Sequence, residues 1–112
     1  MRRGEIRYAE VGAGWGRRPV LVVMPSDLAT ALSRVVCAPV TTSLRQLPTR
    51  VSLGGSEGLR EQSEAVCEAL ATIEKDDIDT VAIGSLADTR FLELDRAIAR
   101  ALDLRRANLL PA

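Results

Sequence analysis

The sequence predicts a small, mainly β barrel of the α+β class, with short helices and a C-terminal α-helix. Several short strand-like runs alternate with glycine-containing turns, and one amphipathic helical pattern closes the chain. Aromatic residues make up only 3% of the composition, so the core must be aliphatic. The length of 112 residues corresponds to one domain, residues 1–112, which can bury a core of its own.

The first two strands flank a glycine-rich loop. Residues 5–11 alternate polar and apolar side chains, which predicts a half-buried strand with Ile6 and Tyr8 inward. Residues 20–23 are apolar and mostly β-branched, which predicts a strand buried on both faces. Proline cannot donate a backbone hydrogen bond, so Pro19 suits the first position of that strand.

The middle of the chain predicts a short helix and two further strands. Ser26 is a suitable N-cap for a helix of about two turns over residues 27–32. Apolar residues over 34–40 predict the third strand, and alternation over 50–53 predicts the fourth. The glycine-rich residues 54–60 predict a loop.

The last third of the chain contains the clearest helical pattern. Residues 65–73 fit either a strand or a helix, and the acidic residues 74–79 predict a turn or a single helical turn. Residues 80–84 predict another strand. Apolar residues at helical spacing predict the closing helix over residues 88–104.

Several function classes are excluded by composition. The chain has no histidine, which removes Ser-His-Asp and Cys-His catalysis and most zinc sites. Cys37 and Cys67 lie in apolar runs and are predicted to be buried core thiols. No apolar run is long enough to span a bilayer, and no signal peptide is recognisable, so we expect no membrane association.

The net charge of zero conceals an uneven distribution. Residues 1–60 carry nine arginines against four acids, and residues 61–112 carry six basic residues against eleven acids. The halves therefore have formal charges of +5 and −5. This asymmetry favours a polyanion-binding face, although two solvated faces that neutralise each other would give the same count.

Two groups of polar residues lie next to predicted strand ends. Arg17 and Arg18 precede the second strand, and the guanidinium fork fits phosphate oxygens. Thr41, Thr42 and Ser43 follow the third strand. Solvated strand-end charges and ordinary loop polarity are the alternative interpretations of these groups.

The loop over residues 12–16 carries the only tryptophan. Its Gly-Ala-Gly-Trp-Gly sequence superficially matches a dinucleotide fingerprint, but a second strand follows where that motif requires a helix. Trp15 could stack on a nucleobase or fold back over the core, and the sequence leaves both open.

Four segments, taken in order, resemble the MazF/PemK toxins. They are the opening Arg2-Arg3-Gly4-Glu5-Ile6, the strand Arg17-Arg18-Pro19-Val20-Leu21-Val22-Val23, the strand end Pro39-Val40-Thr41-Thr42-Ser43, and the closing helix from Leu92 to Leu104. The resemblance covers nearly the whole chain. It implies an SH3-like, CcdB/Kid-like barrel that forms a homodimer in the bacterial cytoplasm.

The resemblance also implies an activity. Such toxins cut single-stranded RNA at short sequences without ribosome, metal or cofactor, and leave a 2′,3′-cyclic phosphate and a 5′-hydroxyl. A cognate antitoxin blocks the site with an acidic, disordered tail, and contact with DNA occurs only through that antitoxin.

The resemblance also assigns roles to individual residues of this sequence, by their position in the matching segments. Arg18 corresponds to the catalytic arginine and Thr41 to the catalytic threonine. A fixed guanidinium would stabilise the charge that grows on the phosphoryl oxygens, and the hydroxyl can donate to one of them. Arg17 would position a phosphate. The remaining residues expected to bind substrate are Trp15, Thr42, Ser43 and Glu68.

At the positions where the family carries its proposed general base, this sequence departs from the family pattern. The first hairpin loop is short and lacks the glutamate that many members carry. Glu68 matches an acidic position of the family, but Ala69 and Ala71 replace the glutamine and arginine near it. Glu10 and Glu57 are further candidates because they lie next to loops.

Two other functions fit the same barrel. The CcdB branch poisons DNA gyrase and performs no chemistry. A barrel without its usual base could also be a weak or inactive member that binds RNA or protein.

Overall fold

The structure is a computed structural model that describes residues 1–105. Its strands are β1 (Glu5–Glu10), β2 (Arg17–Val22), β3 (Arg34–Thr41), β4 (Arg50–Leu53), β5 (Ser63–Val66), β6 (Ala71–Glu74) and β7 (Gly84–Ser85). Its α-helices are α1 (Ser26–Ala31) and α2 (Phe91–Ala101). Short 3-10 turns occupy Gly55–Glu57, Cys67–Ala69, Lys75–Asp77 and Asp88–Arg90.

All seven strands form one antiparallel sheet in the order β4-β5-β3-β2-β1-β7, with β6 also paired to β3. The central strand β3 pairs with β6 through its first half and with β5 through its last two residues. Because the two partners divide β3 between them, the sheet curls into a half-barrel. The predicted mainly β fold with a C-terminal helix is confirmed.

The sheet is buried on both faces, as predicted for the second strand. Leu21 belongs to the larger apolar cluster, which α2 covers, whereas Val20 and Val22 belong to a second cluster on the opposite face. The predicted start of this strand is wrong, because β2 begins at Arg17. Pro19 is tolerated inside it because the ladder to β3 begins only at Val20.

Tyr8 is a second correction. The alternation of side chains along β1 places Tyr8 on the same face as Ile6. The Tyr8 side chain is nevertheless 39% exposed, because it lies past the edge of the core. Ser26 is the first residue of α1 and not its N-cap, which is Pro25. The Ser26 hydroxyl instead accepts a hydrogen bond from the Arg3 N–H at 2.9 Å.

The predicted strand over residues 80–84 is mostly absent. Only Gly84–Ser85 pairs with β1, and Val81 is exposed. Gly84 crosses directly over the backbone of the 3-10 turn at Glu57, where a Cβ would meet the Glu57 carbonyl oxygen at 1.9 Å. This crossing, which only glycine permits, takes the place of a longer ladder.

The ambiguous residues 65–73 contain the end of β5, a 3-10 turn and most of β6, and the closing α-helix proper begins at Phe91. Cys37 and Cys67 are free, buried thiols, as predicted. Burial raises the pKa of Cys37 to about 12 and that of Cys67 to about 11. Neither described helix combines the length and apolarity needed to cross a bilayer.

Candidate functional site

Arg18 and Thr41 come together where β2 begins and β3 ends. The β2–β3 ladder ends at Val20 and Pro39, and continuing its register by two residues leads to Arg18 on one strand and Thr41 on the other. The Arg18 side chain reaches this end of β3, because its Nη1 lies 3.5 Å from the carbonyl oxygen of Val40, the residue before Thr41. On the other side of β3, Thr41 pairs with Glu64 of β5. The edge therefore presents a row of arginine, threonine and glutamate.

The Arg18 guanidinium is held by uncharged groups. Its Nε donates to the Trp15 carbonyl oxygen at 2.6 Å, and its Nη1 makes a long contact of 3.5 Å with the Val40 carbonyl oxygen. No carboxylate pairs with it anywhere in residues 1–105. The side chain is thus oriented but its positive charge is not neutralised, which is the state that suits an anionic ligand.

Trp15 supports Arg18. The Arg18 guanidinium carbon lies 5.0 Å from the centre of the Trp15 ring, which is a cation–π distance. The tight hairpin fixes this contact, because the Trp15 N–H donates to the Gly12 carbonyl at 2.9 Å. Trp15 is half-buried and belongs to neither core cluster. Its predicted contact with RNA remains a prediction.

Arg17 is bound differently from its neighbour. Its Nη2 donates to both carboxylate oxygens of Asp79 at 2.8 Å, and its guanidinium lies 5.7 Å from the centre of the Tyr8 ring. The hydrogen bonds that Arg17 donates to Asp79 raise the pKa of Arg17. A phosphate at Arg17 would have to displace Asp79, so this guanidinium is not free for the predicted positioning role in the structure described.

The three hydroxyl residues differ in orientation. Thr41 Oγ1 accepts a hydrogen bond from the Ser43 N–H at 3.0 Å, which leaves the hydroxyl hydrogen available to a ligand. Thr42 and Ser43 are exposed, and Thr42 lies on the inner side of the strand end. Thr41 is therefore the hydroxyl placed opposite Arg18.

A cluster of charged residues, here called the loop clamp, holds residues 42–49 in place. It consists of Glu64, Arg50 and Glu68. Glu64 accepts hydrogen bonds from the N–H groups of Arg45 and Gln46 at 2.9 and 3.0 Å and from Arg50 Nη1 at 3.1 Å. Arg50 Nε also donates to Glu68 at 2.8 Å. Neither Glu64 nor Arg50 lies in a sequence pattern that predicts this cluster, because its members come together only when β4 pairs with β5.

Glu68 is engaged as part of this clamp. Burial pushes the pKa of Glu68 upward, but hydrogen bonds from the Thr49 hydroxyl and from Arg50 outweigh burial and hold the pKa below its ordinary value. A carboxylate with a lowered pKa is a weak proton acceptor near neutrality. The structure thus favours a structural role for Glu68 over that of a general base.

The other two acids occupy different environments. Glu57 is buried, accepts the Gly54 N–H at 2.6 Å and lies 3.6 Å from an Arg90 nitrogen. Glu10 is exposed at the end of β1, opposite Arg17 in the register. Of these two acids, Glu10 is the one at the strand-end edge.

The loop clamp leads us to expect that the stability of the fold decreases at low pH. Burial alone would raise the pKa of Glu64, but the N–H groups of Arg45 and Gln46 and the Arg50 side chain together lower it. A carboxylate with a lowered folded-state pKa stabilises the fold above its unfolded pKa of about 4.3, and this contribution is lost as the pH falls through the folded value. We expect the urea midpoint to fall as the pH drops below about 4.3.

Urea unfolding from pH 7 to pH 3 measures this effect. In the Glu64→Gln variant the urea midpoint should fall less between pH 7 and pH 3 than in the wild type, because the amide does not titrate. A midpoint that is equally acid-sensitive in the wild type and in this variant would contradict the assignment to Glu64.

The two halves of the chain neutralise each other through ion pairs. Arginines of the first half pair with acids of the second in Arg3–Asp95, Arg17–Asp79, Arg34–Glu74, and Arg50 with Glu64 and Glu68, and Arg90 of the second half pairs with Glu57 of the first. These pairs neutralise part of the basic half, so the uneven charge distribution does not by itself define a polyanion-binding face. From the first sixty residues, the guanidinium groups with no carboxylate partner in the described chain are those of Arg2, Arg18, Arg45 and Arg60. Arg18 and Arg45 belong to the strand ends and the loop described above.

Residues 2–102 match the family model described as "PemK-like, MazF-like toxin of type II toxin-antitoxin system". Among individual relatives, the chain is 34% identical over 87 residues to Endoribonuclease MazF3 of Mycobacterium tuberculosis, covering 78% of this chain and 84% of that protein.

Two solved structures extend the similarity to the fold. The Mycobacterium tuberculosis toxin MazF-mt6 superposes with a TM-score of 0.81 and 31% identity, covering 88% of this chain and 96% of that one. A mycobacterial endoribonuclease in complex with its cognate antitoxin gives the same TM-score at 25% identity, covering 96% and 99%.

Proposed function

Because this chain belongs to the family of PemK-like, MazF-like toxins of type II toxin–antitoxin systems, we propose that it is a sequence-specific endoribonuclease acting on single-stranded RNA. The observation that carries this proposal is the oriented guanidinium of Arg18, which has no carboxylate partner in residues 1–105 and reaches the strand end that carries Thr41. That pair offers a positive charge and a hydrogen-bond donor, the two groups that a phosphodiester in a transition state requires.

The reaction is an internal transfer at phosphorus. The ribose 2′-oxygen attacks, the bond from phosphorus to the 5′-oxygen breaks, and the products are a 2′,3′-cyclic phosphate and a 5′-hydroxyl. Arg18 stabilises the charge on the non-bridging oxygens, and Thr41 donates to one of them. The 2′-hydroxyl loses its proton to a base, and the leaving oxygen gains one. Neither a metal ion nor the ribosome takes part in this scheme.

Glu10 is the acid that we propose as the base. Its carboxylate is exposed at the strand-end edge and lies opposite Arg17, on the face of β1 away from Arg18, so it would act from around that edge. Glu68 is instead held in the loop clamp, and Glu57 is buried against Gly54 and Arg90.

The relatives also support a proposal about the partners and the assembly of this chain. A structural neighbour is bound to its cognate antitoxin, and we propose that an antitoxin with an acidic tail covers the Arg18 edge of this chain. The active form is a homodimer in the bacterial cytoplasm, and any DNA contact is made through the antitoxin.

The deciding experiment is incubation of the purified protein with a long single-stranded RNA in excess EDTA, followed by mapping of the ends. Discrete cuts with cyclic-phosphate and 5′-hydroxyl ends are expected. Salt-dependent RNA binding without cuts would instead indicate an inactive binding barrel. Intact RNA together with a trapped gyrase–DNA cleavage complex would indicate a gyrase poison.

Thr41→Val should lower the cleavage rate constant about 10- to 100-fold, since removal of one transition-state donor typically costs at most about 10³-fold. Valine has nearly the same shape, so the loss isolates the hydroxyl. The initial rate on a short fluorogenic RNA measures it, with Thr72→Val on β6 as the matched control. Equal rates for Thr41→Val and the wild type would remove Thr41 from the mechanism.

A further inference from the structure

A second feature lies on the other side of the same strand ends. An open pocket of about 530 Å³, here called the mouth pocket, is bounded by Tyr8, Pro19, Thr42, Leu59, Arg60 and Glu61. Leu59 packs against the larger core cluster, whereas Tyr8, Arg60 and Glu61 are exposed. None of them is needed for the chemistry at Arg18 and Thr41.

We propose that the mouth pocket binds the nucleobase adjacent to the scissile phosphate and thereby selects the cut sequence. The inference rests on the proposed ribonuclease function and adds a specificity site to it.

The position of the pocket supports this assignment. Pro19 follows Arg18 and Thr42 follows Thr41, and successive residues of a strand point to opposite faces. The reacting pair and the pocket therefore share one edge of the sheet. A nucleotide whose phosphate lies between Arg18 and Thr41 can place its base around this edge and into the pocket.

The lining has the composition of a base-binding site. The ring of Tyr8 is 39% exposed, and Arg17 lies over it at 5.7 Å, which leaves the rest of the ring to the pocket. Pro19 and Leu59 supply apolar walls. An aromatic ring in such a setting stacks on an unpaired base.

The charged side chains that line the pocket indicate which nucleobase fits it. Within residues 1–105 the Glu61 carboxylate and the Arg60 guanidinium make no side-chain hydrogen bond or ion pair. A carboxylate accepts two hydrogen bonds side by side. Guanine offers two adjacent donors, its N1–H and its 2-amino group, so the pocket favours guanine, and Arg60 can contact a neighbouring phosphate.

Cleavage of a randomised RNA pool tests the proposal. We expect guanine to be enriched at one position next to the cut. Glu61→Gln should reduce that enrichment about tenfold or more while cuts at other sequences persist, and Tyr8→Leu should lower kcat/KM about tenfold. Asp76→Asn, which removes an exposed charge from a 3-10 turn outside the pocket, should change neither quantity. Unchanged base preference in both pocket variants would overturn the proposal.

A binding measurement separates this proposal from the ribonuclease function. Guanosine monophosphate should shift the NMR signals of the Tyr8 ring more than adenosine or uridine monophosphate does, and Glu61→Gln should remove the difference. This response does not require cleavage. If the Tyr8 signals do not shift, or shift equally with all three nucleotides, the mouth pocket does not select guanine, even if the protein cuts RNA.

Discussion

Replacing Arg18 with alanine should lower the rate constant for RNA cleavage about 10²–10³-fold, the range typical for loss of a preorganised donor to a developing anion. The expectation follows from the geometry of this guanidinium. It is fixed by the Trp15 carbonyl and ring, yet no carboxylate in residues 1–105 neutralises it. Because alanine removes a group that is half-buried at the strand end, the fold should persist. Single-turnover cleavage of a short RNA measures the effect.

Matched variants separate charge from geometry. Arg18→Lys keeps the charge but loses the planar fork and should recover only part of the rate. Arg34→Ala removes an exposed arginine from the other end of β3, where it pairs with Glu74, and should leave the rate unchanged. If Arg18→Ala cleaved as fast as Arg34→Ala, Arg18 would have no role in catalysis.

The strand-end pair was predictable because it depends on local patterns. The apolar run of β2 and the hydroxyl run after β3 mark two strand ends, and antiparallel pairing of β2 with β3 then brings the Arg18 side chain to the end of β3 that carries Thr41. What the sequence alone could not provide was the register that aligns them.

Features that depend on long-range contacts were missed. The acidic half of the chain supplies Asp79 to Arg17 and Glu64 to Arg50, so the predicted basic face is partly neutralised. Alternation put Tyr8 on the correct side of β1 but could not show that the core ends before it. Whether a residue at a given position is covered depends on elements distant in sequence, which a local pattern does not contain.

Glu64→Ala should lower the free energy of unfolding by about 2–3 kcal/mol, since it leaves a buried arginine and two backbone N–H groups without their charged acceptor. The side chains of Glu64 and Arg50 are only 5% and 9% exposed, so water screens the pair little. For a chain of this size such a loss lowers Tm by about 10 °C or more. Thermal and urea unfolding measure it.

The same substitution should also slow cleavage, because the Arg45 and Gln46 N–H groups in the loop that follows Thr41 then lose their acceptor. Glu68→Ala is the matched control: its side chain is 34% exposed and holds Arg50 from the outer side, so its loss should cost clearly less stability. If Glu64→Ala were as stable as the wild type, the loop clamp would be a surface ion pair of little energetic value. If stability fell but the cleavage rate of the folded fraction did not, the clamp would support the fold without positioning the Thr41 edge.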